Sequence, residues 1–138
     1  MKKLKIYTGF VSPLTVPEVI SNNILPIFII RQIKESELIG QYDGTCLHFP
    51  ELSPSFNLFR SVRDGLIGRE EFEKKYIIEI SQINLFDIIK RLEYLAEVSN
   101  AKAVILMGYG SDRKKCHRSV LGNLISDMTG ETVKELVV

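Results

Sequence analysis

Ala103-Val104-Ile105-Leu106-Met107 is apolar at every position. A half-buried strand would alternate, so an unbroken run reads as a strand covered on both faces. Pro26 to Ile30 repeats the feature with β-branched residues. Such strands belong to parallel sheets, and parallel neighbours need a crossover between them, usually a helix. The chain supplies those helices. Pro54 suits a first helical position, with Ser53 as N-cap, and that helix should end near Gly65. Gly68-Arg69-Glu70-Glu71 opens a second, its acids placed where the helix dipole favours them, with Phe72, Tyr76 and Ile77 on one face. Asn84 caps a third, where Leu85, Ile88, Ile89, Leu92 and Leu95 recur at helical spacing as far as Ser99-Asn100.

The ends of the chain complete the pattern. Leu4-Lys5-Ile6-Tyr7 reads as a first strand that stops at Thr8-Gly9. Thr15 caps a short helical turn at Pro17 to Ile20. Residues 36 to 53 lack periodicity and read as a long excursion over one edge. Cys116 to Met128 is helical, with Leu121, Leu124, Ile125 and Met128 inward, and Gly130 ends it. Thr132 to Val137 closes as a strand. Strands separated by helices predict an α/β three-layer domain with a mostly parallel central sheet, residues 1–138 forming a single domain. A chain of 138 residues is long enough to bury a core without a disulfide or metal staple.

Ligands of such sheets bind beyond the carboxyl ends of the strands. Tyr7-Thr8-Gly9, Arg31 and the 108–119 segment should gather there. That segment, Gly108 to Ser119, is a glycine-containing loop running from a strand into a helix. Free N–H groups at a helix start favour an anion, and Arg113, Lys114, Lys115 and Arg118 add positive charge. The plain alternative is a solvated basic turn capped by Asp112. No Gly-Lys-Ser/Thr follows at the spacing of a Walker loop. Gly122 stands where a phosphatase-type Cys loop needs its Arg.

Cys116 is the candidate nucleophile, because a helix start and nearby cations lower a thiol pKa. His117 is adjacent, but helical neighbours diverge by about 100°, which makes it a poor proton acceptor for Cys116. The structural alternative is a small buried thiol under the first helical turn. Cys46, His48, Cys116 and His117 match no standard zinc spacing, so no metal site is expected, nor any cofactor. Phe49, Phe56, Phe59, Phe72 and Tyr76 read as helix-packing core. Tyr7, Tyr42 and Tyr109 fall at strand ends or in loops, where a ring can stack on a base. Glu70-Glu71-x-Glu73-Lys74-Lys75 reads as a solvated face.

At Cys116-His117-Arg118 the chain resembles the family catalogued as domain of unknown function 488. The resemblance extends through Ile6-Tyr7-Thr8-Gly9, Arg31 after the second strand, the Leu52-Ser53-Pro54-Ser55 step and the helix from Glu71-Phe72 to Tyr76. It spans nearly the whole chain in the same order. Members usually end the buried strand in Cys-x-Glu, where this chain has Gly108-Tyr109-Gly110. A thiol or carboxylate partner for Cys116 therefore cannot come from those positions. The resemblance implies a Rossmann-like fold and a pocket at Cys-His-Arg, and implies no particular reaction.

The function expected on these grounds is binding of a nucleotide or nucleotide-derived phosphorylated small molecule, as a sensor or sponge. Its ligand-binding set is Tyr7, Thr8, Gly9, Arg31, Tyr109, Ser111, Arg113, Cys116, His117, Arg118 and Ser119. The alternative is a Cys-dependent hydrolase or transferase acting on a phosphorylated or glycosidic substrate, with Cys116 and His117 catalytic. A net charge of +1 argues against a nucleic-acid partner. Two cysteines far apart, no signal-peptide pattern and no apolar run near the ~20 residues of a membrane helix point to a reducing compartment, most simply the cytoplasm. Self-association stays open.

Overall fold

The computed structural model of the chain describes residues 4–10, 15–30, 47–108 and 117–136. Its elements are β1 (Lys5–Phe10), α1 (Thr15–Ser21), β2 (Ile24–Phe28), β3 (Leu47–His48), a 3-10 turn (Pro50–Leu52), α2 (Phe56–Arg63), α3 (Arg69–Ser81), α4 (Leu85–Val98), β4 (Ala103–Gly108), α5 (His117–Thr129) and β5 (Lys134–Glu135). The five strands form one sheet in the order β3-β2-β4-β1-β5. Every pairing is parallel, with Thr8 opposite Leu106, Phe28 opposite Met107 and Thr8 opposite Glu135. This is a Rossmann-like three-layer α/β fold.

The two unbroken apolar runs are buried at every position of β2 and β4. Their side chains alternate between two cores. Leu25, Ile27, Val104 and Leu106 meet α2, α3, α4 and α5 on one face. Ile24, Phe28, Ala103, Ile105 and Met107 meet Val19 and Ile20 of α1 on the other. Burial on both faces is why these strands show no polar alternation. Among the described residues no helix is long and apolar enough to cross a membrane.

Local chemistry sets most boundaries. The Asn84 side chain accepts from the Asp87 N–H and caps α4. Gly130 ends α5 at φ 76, a left-handed conformation that needs no Cβ. Several boundaries depart from the sequence-based expectation: β2 is Ile24–Phe28 rather than Pro26 to Ile30, Thr15 lies in α1 rather than capping it, and β5 is only Lys134–Glu135. β1 runs through Thr8 and Gly9 to Phe10, because pairing with β4 continues to Gly108. The long excursion contains the edge strand β3. The helix expected from Pro54 begins at Phe56 with Ser55 as its cap. Ser55 donates its hydroxyl to Glu79 of α3 and accepts from the Leu58 N–H, and that contact sets the start.

The later start goes with a different phase. Leu58 is buried and Val62 packs against the core, while Phe56 and Phe59 are half-exposed rather than buried. Ile77 and Met128 are also exposed in part rather than inward: Ile77 lies about 100° round the helix from Tyr76, and Met128 sits in the last turn of α5. Phe49, Phe72 and Tyr76 are core, as expected. The charge run on α3 is a solvated face carrying Lys74–Glu70 and Lys75–Glu71 pairs.

Candidate functional site

β1 and β4 lie side by side, yet the chain leaves them in opposite directions. From β1 it crosses through α1 to β2, beyond β4; from β4 it crosses through α5 to β5, beyond β1. α1 and α5 also cover opposite faces of the sheet. Adjacent parallel strands with diverging connections open a crevice at their carboxyl ends, where sheets of this kind bind ligands. Phe10 and Gly108 end the two strands there.

Several expected residues converge on this end, in roles that the sequence did not specify. Gly9 is buried, and a Cβ on it would come within 2.5 Å of Ile105 Cδ1. Thr8 is buried and donates its hydroxyl to Glu135 Oε1 at 2.7 Å. Tyr7, expected at the end of the strand, lies in its middle, half-buried, beside the α1-side core. α5 approaches β1 closely because it carries Gly122, where a Cβ would stand 3.3 Å from both Thr8 Cγ2 and Val133 Cγ1. One turn earlier on the same helix, Arg118 is fully buried. Its Nε donates to Glu135 Oε1 at 3.1 Å and its Nη2 to Glu135 Oε2 at 2.9 Å. The side-on edge of the guanidinium is thus taken by a carboxylate of β5.

His117 opens α5 and turns the other way. Its Nε2 hydrogen-bonds the Ile29 carbonyl just past β2, and since a carbonyl only accepts, that nitrogen carries a proton. Its ring meets Tyr76 edge-on, with centroids 5.6 Å apart and planes at 78°. The Tyr76 hydroxyl donates to the Leu52 carbonyl. His48 Nε2 donates likewise to the Ile30 carbonyl. Two imidazoles therefore hold consecutive carbonyls at the exit of β2. Ser119, next on α5, is half-buried. Arg31, Tyr109, Ser111, Arg113 and Cys116 lie outside the described residues.

Sequence reasoning missed Glu135 and the contact of Tyr76 with His117. A faint signal for Glu135 was present. Period-2 counting from Val133 puts it on the same face of β5 as that valine, towards α5. Tyr76 gave none beyond its place on the buried face of α3. The Leu52–Ser55 step and the aromatic-acidic helix, read as separate motifs, form one joint. Tyr76 binds the Leu52 carbonyl while Glu79 takes the Ser55 hydroxyl and N–H.

A second concavity lies at the opposite end of the sheet. It is a groove of about 470 Å³ between the amino ends of β1 and β5 and helices α4 and α5, lined by Lys5, Ile89, Glu93, Ile125 and Lys134 among others. Of the expected ligand-binding residues it touches Tyr7 alone. Among the described residues no group of His, Cys, Asp and Glu large enough to hold a metal comes together.

A family model described as "Active DUF488-N3 subclade" (DUF488-N3a) matches residues 29–129. The match takes in β3 through α5 and leaves out β1, α1, β2 and β5. No curated protein and no solved structure matches the chain.

Proposed function

The chain belongs to the DUF488 family, and from that premise we propose that it binds a nucleotide or another phosphorylated small molecule in the crevice beyond β1 and β4. The observation that carries this reading is the switch in chain direction between those two strands, with the start of α5 placed beside it. A helix start offers N–H groups and the positive end of a dipole to an anion. Arg118 stands in the first turn of that helix. Arg31 and Arg113 are the further cations, and Tyr109 supplies a ring for a base. Gly9, with no side chain, leaves the room beside β1 that Ile105 fills.

The test is native mass spectrometry of the freshly purified protein, followed by a thermal-shift series over mono-, di- and triphosphate nucleotides. A co-purifying mass in the nucleotide range, or a rise in melting temperature with one class, is the expected outcome. A ligand present at a hundred times its Kd adds about 2.7 kcal/mol to the folded state, which such a series detects readily. A bare mass together with no shift across the series would overturn the proposal.

A second reading is catalysis by Cys116, and the word "active" in the description of the matching subclade favours it. In that reading the Cys116 thiolate attacks a phosphorylated or glycosidic substrate and displaces its leaving group, and water then releases the product. It requires a thiol of depressed pKa. Alkylation of Cys116 at pH 7 no faster than that of a peptide cysteine would remove it.

A further inference from the structure

Arg118 is oddly placed for a residue that serves stability alone. It sits in the first turn of α5, where no acidic residue accompanies it, and a cation there opposes the helix dipole. It is also fully buried, Thr8 is buried, and the side chain of Glu135 is only 12% exposed. Taking an ion pair out of water offsets most of its attraction, and well-packed apolar side chains often serve as well. Two costs therefore fall on one residue, and both are met by the same carboxylate. Glu135 accepts from Nε and Nη2 of Arg118, a two-point contact that fixes the plane of the guanidinium. The Thr8 hydroxyl fixes Glu135 Oε1 in turn. The backbone holds the carboxylate in place as well, because Glu135 pairs with Thr8 and the Leu136 N–H donates to the Thr8 carbonyl at 2.8 Å. Three elements, β1, β5 and α5, thus contribute one polar group each to a single chain of contacts at the carboxyl end of the sheet.

We propose that Glu135 is a positioning residue, which with Thr8 orients the Arg118 guanidinium for the anionic group of the ligand. This rests on the phosphate-binding reading above, and it makes the short last strand part of the site.

The test uses the full chain in four forms: wild type, Glu135→Gln, Glu135→Asp and Thr8→Val. Arginine side-chain NMR reports the order of Arg118 without any ligand, and calorimetric titration with inorganic pyrophosphate reports its consequence. In wild type the Arg118 Nε–H signal is resolved and slow to exchange. In Glu135→Gln it moves to the position of a free arginine, and pyrophosphate affinity falls by about tenfold or more, as expected when a charge-assisted two-point contact is lost. Glu135→Asp keeps part of both, a rescue that a packing role would not give. If Glu135→Gln does not fold, the near-isosteric Thr8→Val carries the test, with a smaller signal shift and a loss of affinity of a few-fold, about that of one hydrogen bond. An Arg118 signal unchanged in both variants overturns the proposal. So does unchanged pyrophosphate affinity once the signal has moved. If wild type binds no pyrophosphate while the Arg118 signal responds as described, the orienting role of Glu135 stands and the phosphate reading falls.

Discussion

Two sets of ion pairs in this molecule have similar lengths and different surroundings. On α3, Lys75 meets Glu71 at 3.1 Å and Lys74 meets Glu70 at 3.7 Å, with side chains 53% to 88% exposed. Across α5 and β5, Arg118 meets Glu135 at 2.9 Å with 0% and 12% exposure. Water and salt screen the first set, and exposed pairs are worth about 0–1 kcal/mol. The second has given up its hydration, so each partner depends on the other. Distance alone does not rank these contacts; burial does. The i, i+4 spacing also announces the α3 pairs in the sequence, whereas Arg118 and Glu135 come together only through the sheet.

Mutation can break or sharpen that contrast. The largest effect is expected at Arg118→Met, which leaves the Glu135 carboxylate buried and unpaired. Urea unfolding should show a loss of about 3–5 kcal/mol, a large part of the stability of an ordinary domain. A loss below about 1 kcal/mol would place the pair in the same class as those on α3. The double variant Arg118→Met/Glu135→Leu should recover much of the loss, since two apolar groups leave no orphaned charge. Failure to recover would mean that packing around Arg118, rather than its charge, is what the single variant destroys.

Next in size is Tyr76→Phe, which removes a donor from the buried Leu52 carbonyl and should cost about 1–3 kcal/mol by the same assay. Because Tyr76 also meets the His117 ring, the ring-proton signals of His117 should shift in that variant. Asn84→Ala removes an exposed helix cap and should cost about 1 kcal/mol. Lys75→Ala should fall within about 0.5 kcal/mol of wild type, with a difference that shrinks further in high salt. The spread from Arg118 to Lys75 is the quantitative content of the comparison.

Much of the fold was legible from local sequence. Ala103 to Met107 and the Pro26 to Ile30 run identified the central strands, since covering on two faces leaves no position for polar alternation. Asn84 and Gly130 marked helix boundaries through chemistry confined to one turn. Local reading failed where two choices were equally apolar. In α2, Phe56 and Phe59 compete with Leu58 and Val62 for the inward face, and the Ser55–Glu79 contact from a different helix decides it. The candidate site was legible to a similar degree. A strand, a loop and a helix start suggested its place in the chain, and the family model agrees with the family that the resemblance named. Glu135 was hidden because an acid in a short polar strand looks like surface.

The sequence by itself determined the element types and the parallel sheet, because periodicity and capping depend on neighbours within a few residues. Tertiary structure alone decided the partners. Thr8 and Glu135 are 127 positions apart, and Ile29 and His117 are 88 apart. They meet because β1 lies between β4 and β5 while β2 lies on the far side of β4. That order is settled by how the helices cover two faces of one sheet, a property of the packed whole that no local pattern of residues encodes.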